Sequence, residues 1–281
     1  MFYNCRIIPS FLVIGGVKCA SSSLYRYLID HPNILPCHKK EPGFFSNRGL
    51  FRTLIKLPNY LQNFPKKASE ENTKMIWHEL NESGLVEQSN FVKERKKNMT
   101  YITGEATATY NFAADPGIVR KIFPKMKIIA LVRNPTERYI SHHKMFSRFQ
   151  MEGRQGYDVG NLLAFIEKEI SDHMLGKKTR ILHQGIYYLY LSKWEETFGE
   201  NQLFIEKSEK LKNEKSANEV LNSLACFLSL PHHNFSNIVS RKFNVAPSKT
   251  CHNAEAIALL NEFYRPYNQL LSKHYGIELN E

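Results

Sequence analysis

The stretch FLVIGGVKCASSSLYRYLIDHP, residues 11–32, combines three patterns that together decide the fold. An uninterrupted apolar run at 11–14 predicts a buried strand, and the two glycines after it allow a tight turn. Past the turn, apolar residues recur at helical spacing, at Leu24, Tyr25 and Leu28. Strand, turn and helix in this order bring free backbone N–H groups and the positive end of the helix dipole to one point. Such a point binds anions.

Lys18 and three consecutive serines, Ser21, Ser22 and Ser23, add positive charge and hydroxyl groups at this point. The spacing differs from the nucleoside-triphosphatase motif G-x-x-x-x-G-K-[ST], because counting from Gly15 puts alanine and serine where that motif has glycine and lysine. The stretch therefore predicts a site for a phosphate-like anion without a clear Mg²⁺ ligand. On this stretch alone, a small-residue turn that only packs a helix on a sheet is the alternative.

A second stretch, MKIIALVRNPTERYISHH at 126–143, repeats the order of strand, turn and helix. The apolar run at 128–132 predicts a buried strand that ends at Arg133, and the Asn-Pro pair after it restarts the chain as a helix. Arg133 and Ser141 can converge on one anion, with the forked contact that a guanidinium gives. Surface arginines explain R-x-P-x-x-R equally well when it stands alone. Paired with the first turn, it predicts two anion sites on one sheet.

These stretches resemble the phosphosulfate-dependent sulfotransferase family. GVKCASSSL resembles its 5′-phosphosulfate-binding loop, and RNPTERYIS resembles its 3′-phosphate motif, R-x-P-x-x-R-x-x-S. KEPGFF at 40–45 resembles the K-E-x-x-F-F signature of the carbohydrate branch, which includes the heparan sulfate sulfotransferases and many bacterial relatives. Weaker similarities follow in family order at 104–110, 184–211 and 260–271, so the resemblance extends over nearly the whole chain.

The resemblance implies an α/β fold, a P-loop-like three-layer sandwich whose central parallel sheet is flanked by helices. We expect a single sulfotransferase domain over residues 1–281, with a polar insertion at about 47–98 over the acceptor cleft. The implied co-substrate is 3′-phosphoadenosine 5′-phosphosulfate (PAPS), used without a metal. The residues that the resemblance implies for PAPS binding are Lys18, Cys19, Ala20, Ser21, Ser22, Ser23, Arg133, Ser141, Lys242 and Lys249.

On the acceptor side, the resemblance assigns the general base to Glu41 and stabilisation of the leaving oxygen to Lys18. Glu41 precedes Pro42 and two phenylalanines, a partly apolar surround that suits a general base, whereas a surface ion pair with a neighbouring lysine is the alternative. His142 and His143 are reserve candidates for the base. The residues expected to contact the acceptor are Lys40, Phe44, Glu105, Tyr110 and His143. For Glu105, a buried structural carboxylate paired with an arginine is the alternative.

Three departures from the family pattern leave the identity of the acceptor open. Ala20 stands where glycine is usual, Gly43 where the heparan branch often has histidine, and His143 where tyrosine is common. The acceptor group is then a hydroxyl or an amine of a carbohydrate or a small polar metabolite. Two other functions remain as alternatives: a nucleotide-dependent phosphotransferase, which needs a Mg²⁺-binding motif pair that the sequence lacks, and a non-catalytic anion- or glycan-binding module.

Composition agrees with one α/β enzyme domain that has anionic ligands. The 281 residues are 42% hydrophobic and carry a net charge of +11, and apolar runs alternate with helical patterns as in a parallel sheet. No RNA-binding motif, membrane-spanning run or signal peptide is present, so we expect no nucleic-acid or membrane partner and a cytoplasmic location. Five scattered cysteines indicate neither a disulfide framework nor a metal site. The sequence does not fix the oligomeric state.

Overall fold

The computed structural model describes residues 5–46, 49–67, 72–80, 86–240 and 253–279. The strands in these ranges are β1 (Phe11–Gly15), β2 (Ile34–Leu35), β3 (Thr73–Leu80), β4 (Val86–Lys93), β5 (Ile102–Ala106), β6 (Lys127–Val132) and β7 (Leu203–Lys207). Five of them form one sheet in the order β2-β5-β1-β6-β7, and every pairing in it is parallel. β3 and β4 form a separate antiparallel pair.

Helices flank the parallel sheet, which confirms the predicted α/β fold. They are α1 (Ser21–Leu28), α2 (Leu50–Leu61), α3 (Tyr110–Ala113), α4 (Pro116–Ile122), α5 (Pro135–Met151), α6 (Leu162–Met174), α7 (Tyr187–Phe198), α8 (Glu214–Phe227), α9 (Ser236–Val239) and α10 (Ala254–Tyr275). The segments with helical periodicity became α1, α5, α6, α7, α8 and α10. The short α3, α4 and α9 carry too few residues for a periodic pattern to show, and the sequence analysis did not predict them.

The centre of the sheet is the centre of the core. Every residue of β1 is buried, and β6 is buried from Ile128 to Val132. Parallel strands covered on both faces read as continuous apolar runs, which explains why these two were the clearest strands in the sequence. Because β1 and β6 are neighbouring parallel strands, the turns that follow them meet at the same end of the sheet, where the strands have their carboxyl ends.

The described parts of the region 47–98 contain α2 and the β3–β4 pair, which packs against α1. Trp77 of β3 is buried and stacks on Tyr25 of α1, with ring centroids 6.5 Å apart. The guanidinium of Arg26 lies 4.6 Å from the ring centroid of Phe91 in β4. The Lys93 ammonium donates hydrogen bonds to three carbonyl oxygens at the end of α1, those of residues 29, 30 and 31, at 2.8–3.1 Å. A cation at a helix C-terminus satisfies its free carbonyls and its dipole. The pair is therefore fixed beside the helix that follows the β1 turn.

Candidate active site

The turn at residues 16–20 joins β1 to α1 through an unusual backbone conformation. Gly15, the last residue of β1, has a φ of +134°, and a Cβ atom there would clash with the Ala108 carbonyl oxygen, so glycine is required. Ala20 precedes α1 with a φ of 60°, in the left-handed region. Within the described residues no side chain caps α1, and the first turn of α1 holds no acidic residue. The first N–H groups of α1 and its positive dipole end are therefore available to an external anion.

Positive charge concentrates around Lys18. Burial and the positive charges of Arg148 and Arg133 lower the pKa of Lys18. Arg148 lies on α5, seven residues after Ser141, and its Nε atom is 3.4 Å from a carboxylate oxygen of Glu152. The sequence analysis missed Arg148, although the seven-residue spacing from Ser141 places both on one helix face. An anion bound here would relieve the mutual repulsion of these cations.

Arg133 connects the two predicted anion-binding stretches. It follows β6, and its Nη1 atom donates to the Lys18 carbonyl oxygen at 3.4 Å, so the two turns are in contact. Its Nη2 atom also donates to the Glu137 carboxylate at 2.8 Å, and a quarter of its side chain remains exposed. Ser141 is half-buried on α5, two helical turns further on. The edge of the sheet thus carries Lys18 and Arg133 in direct contact, with Ser141 on the following helix.

Three further residues of α5 take part in its packing: Arg138, His142 and His143. Arg138 is fully buried and donates from Nη2 to the Ile181 carbonyl oxygen at 2.8 Å, while its Nη1 lies 3.2 Å from Nδ1 of His142. Burial and the charges of Arg138 and Lys18 lower the pKa of His142 to about 2, so this imidazole is neutral. His143 is also buried, edge-on to the Phe165 ring at 5.6 Å, and burial lowers its pKa. The two histidines therefore lie inside the protein and not on an open acceptor surface.

The remaining residues expected to bind PAPS occupy varied environments. The Cys19 side chain is buried, with its sulfur 3.3 Å from the Tyr187 hydroxyl, so it belongs to the core. Ser21 is buried, and Ser22 and Ser23 are half-buried in the first turn of α1. Lys242 and Lys249 lie outside the described residues.

The 40–46 loop presents Glu41 to solvent above an aromatic cluster. Glu41 is exposed and has a φ of 49°. Phe44 and Phe45 are buried, and the Phe44 ring stacks on Tyr60 of α2 with centroids 4.1 Å apart. The apolar surround expected for Glu41 thus lies behind the loop and not around the carboxylate. The Lys40 ammonium lies 4.7 Å from the ring centroid of Trp77, which ties the loop to β3.

A shallow depression joins the 40–46 loop to the start of α1. Ser22, at the start of α1, and Lys40, Glu41 and Trp77 all line it. Glu41 and the start of α1 therefore border the same depression.

Beneath the loop, Glu105 of β5 is a buried carboxylate with three hydroxyl partners. It is 1% exposed and accepts hydrogen bonds from Thr107 at 2.7 Å, Tyr110 at 2.7 Å and Tyr60 at 3.1 Å. Burial raises its pKa to about 7. Glu105 and Tyr110 thus lie under the loop. The alternative from the sequence was a buried carboxylate paired with an arginine, whereas the hydrogen-bond partners described for Glu105 are hydroxyls.

Comparison with known proteins finds relatives of this chain and a solved structure with the same fold. Human carbohydrate sulfotransferase 15 is 23% identical over 96% of the chain, and the Caenorhabditis elegans bifunctional heparan sulfate N-deacetylase/N-sulfotransferase 1 is 25% identical over 89% of it. A solved sulfotransferase from Alicyclobacillus acidocaldarius has the same fold, with a TM-score of 0.63, 20% identity and 97% coverage of each chain. These relatives and this solved structure are sulfotransferases, and the chain is similar to them in sequence and in fold. No protein-family model matches the chain.

The chain spans about half the length of the human relative, 54%, and a quarter of the Caenorhabditis elegans relative, 25%. Within the described ranges, no helix has the length and apolar character needed to cross a membrane. The same ranges contain no group of three histidine, cysteine or acidic residues placed to hold a metal ion.

Proposed function

We propose that this protein is a sulfotransferase that moves a sulfuryl group from PAPS to a hydroxyl or amine of a carbohydrate or small polar metabolite. The observation that carries this proposal is the shared depression, in which Glu41 lies beside the uncapped start of α1. The 16–20 turn together with the first turn of α1 is called the donor turn below. The 40–46 loop is called the acceptor loop.

The charges of the donor turn fit the two anionic ends of PAPS. The free N–H groups of α1 and the hydroxyls of Ser22 and Ser23 would hold the 5′-phosphosulfate, and Arg133 with Ser141 would hold the 3′-phosphate. Arg133 contacts the Lys18 carbonyl oxygen, so both ends of the nucleotide would bind to one rigid edge of the sheet. Arg148 adds positive charge near Lys18.

In the proposed reaction, the acceptor oxygen or nitrogen forms a bond to sulfur while the bond from sulfur to the bridging phosphate oxygen breaks. PAPS supplies the sulfuryl group, and 3′-phosphoadenosine 5′-phosphate is the product. Lys18 would stabilise the negative charge that develops on the bridging oxygen. Glu41 would accept the proton that the attacking group loses. Its exposed position on the acceptor loop makes it reachable by a bound acceptor.

Phosphoryl transfer is not favoured, since the donor turn lacks a lysine directly before its hydroxyl residues and the relatives found are sulfotransferases. A non-catalytic binding module would retain the nucleotide site and gain nothing from a carboxylate beside it. It would bind the nucleotide without turnover.

Thermal unfolding with added 3′-phosphoadenosine 5′-phosphate tests the donor site, with ATP–Mg²⁺ as the comparison ligand. At about one hundred times its Kd, a ligand adds about 2.7 kcal/mol to the stability of the folded state. We expect the melting temperature to rise by roughly 5–10 °C for a chain of this size. Arg133→Ala should abolish the rise, whereas Arg154→Ala, at an exposed arginine paired with Glu152, should keep it. A rise with ATP–Mg²⁺ alone would refute the proposal.

A further inference from the structure

The proposed chemistry leaves one buried titratable group unused, the carboxylate of Glu105. Burying a carboxylate is unfavourable unless its charge or its hydrogen bonds are satisfied. Glu105 lies on β5, near the carboxyl ends of the parallel strands, where the candidate site is. Its oxygens accept hydrogen bonds from three hydroxyls. An apolar side chain would fill this position, among aromatic rings, at lower cost. The hydrogen-bond partners of the carboxylate therefore indicate its role.

Two of the three hydroxyls continue to the acceptor loop. The Thr107 hydroxyl accepts a hydrogen bond from the Gly43 N–H at 3.3 Å, and the Tyr110 hydroxyl accepts one from the Phe45 N–H at 3.4 Å. These amides lie two and four residues after Glu41. The chain of bonds therefore runs from the loop backbone through a hydroxyl to Glu105 at two separate points.

The carboxylate fixes the direction of the two hydroxyl hydrogens. A hydroxyl has a single hydrogen to donate, and an ionised carboxylate can only accept. With their hydrogens directed to Glu105, Thr107 and Tyr110 present lone pairs to the two loop amides, which can only donate. Bonds in such a chain polarise and strengthen one another. Glu105 thus holds both hydroxyls in the orientation that accepts from the loop.

The loop needs this support because Glu41 has an unfavourable backbone conformation. Its φ of 49° lies in the left-handed region, which is unfavourable for a residue with a side chain. Such a conformation persists only where neighbouring contacts fix it. The bonds to Gly43 and Phe45 fix the chain on the C-terminal side of Glu41.

We propose that Glu105 is a positioning residue that fixes the acceptor loop, and with it Glu41, through the hydroxyls of Thr107 and Tyr110. The role of the positioned Glu41 as base rests on the proposed function. The fixing of the loop is a property of the protein alone, so it can be tested without an acceptor.

Amide hydrogen exchange at Gly43 and Phe45, followed by NMR, tests the proposal. Thr107→Val should speed exchange at Gly43 about tenfold and leave Phe45 unchanged, and Tyr110→Phe should do the reverse, since each removes one hydrogen bond. Glu105→Gln places an N–H₂ donor against the hydroxyls and should speed at least one of the two amides about tenfold. Tyr60→Phe is the matched control, because its hydroxyl also donates to Glu105 but accepts from neither loop amide in the described bonds.

The pH profile of exchange separates positioning from simple packing. After correction for the intrinsic exchange rate, protection at Gly43 and Phe45 should rise as Glu105 ionises around pH 7, and Glu105→Gln should show no such rise. Tyr60 and Tyr110, its hydrogen-bond partners, and Tyr25 and Cys37, whose charges would act on it, stay protonated in this range because burial raises their pKa values. Glu41 is the other acidic group that acts on Glu105, so Glu41→Gln is the second control.

Three results would overturn the proposal. The first is exchange at both amides within twofold of wild type in folded Glu105→Gln. The second, which applies if that variant does not fold, is unchanged exchange at these amides in both Thr107→Val and Tyr110→Phe. The third is a pH-dependent rise in protection that persists in Glu105→Gln. The Kd of 3′-phosphoadenosine 5′-phosphate, measured on the same samples, reports separately on the proposed function, because these variants leave the donor turn intact.

Discussion

The donor turn and the acceptor loop of this protein differ in how charge is satisfied. At the donor turn, Lys18, Arg133 and Arg148 raise the positive potential around an uncapped helix terminus. Beneath the acceptor loop, the charge of Glu105 is buried and satisfied internally by hydroxyls. The first region is therefore suited to an external anion, whereas the second has its charge satisfied within the protein. The proposed sulfuryl transfer would benefit from both, since the donor must bind tightly and the base must already be in place.

The largest expected effect is on the rate of sulfuryl transfer. Lys18→Met and Glu41→Gln should each lower the rate of 3′-phosphoadenosine 5′-phosphate release about 100- to 1000-fold, measured with an acceptor identified by screening. Only Lys18→Met should also weaken nucleotide binding, because Glu41 lies on the acceptor loop. Calorimetric titration of both variants gives the affinities. Equal loss of nucleotide affinity in the two variants would show that nucleotide binding does not depend on the donor turn alone.

A smaller effect concerns the pH dependence of stability. The carboxyl of Glu105 has its pKa raised from 4.5 to about 7 on folding, so the folded protein holds this proton more tightly than the unfolded chain. The stability that Glu105 contributes is fully present below pH 4.5 and is lost as the pH rises to about 7. Relative to Glu105→Gln, the wild-type protein should lose about 2–3 kcal/mol between pH 5 and pH 8.

Urea unfolding of both proteins at the two pH values measures this difference. The buried histidines, whose pKa values burial lowers, change stability in the opposite direction as the pH falls. Because both proteins contain them, their contribution cancels. A difference that stays constant with pH would mean that Glu105 has an ordinary pKa in the folded protein.

The smallest effect is expected at the donor turn. Ala20 is exposed with a φ of 60°, so Ala20→Gly should remove backbone strain and stabilise the protein by about 0.5–1 kcal/mol after the added entropy of the unfolded chain. Ala258→Gly, at an exposed position inside α10, should destabilise it by about 1 kcal/mol. Thermal unfolding of the two variants should show shifts of opposite sign. Two shifts of the same sign would contradict the assigned strain.

The parts of the fold that could be predicted are those encoded in continuous segments. β1 and β6 are uninterrupted apolar runs because both faces of a central parallel strand are covered. β2 has only two residues, too few to give a pattern. The α2 helix lies in a polar, lysine-rich region, and its ends carry no side-chain cap to indicate it.

The amino-acid sequence alone determined the donor turn, because its glycines, lysine and serines are consecutive and their chemistry depends on local backbone geometry. It also determined that Arg133 would lie at the same edge of the sheet, since the ends of adjacent parallel strands meet there. Only the tertiary structure brought Glu105 beneath the acceptor loop and Arg148 toward Lys18. These contacts join segments far apart in the chain, and the packing of the aromatic cluster and of α5 sets their distances.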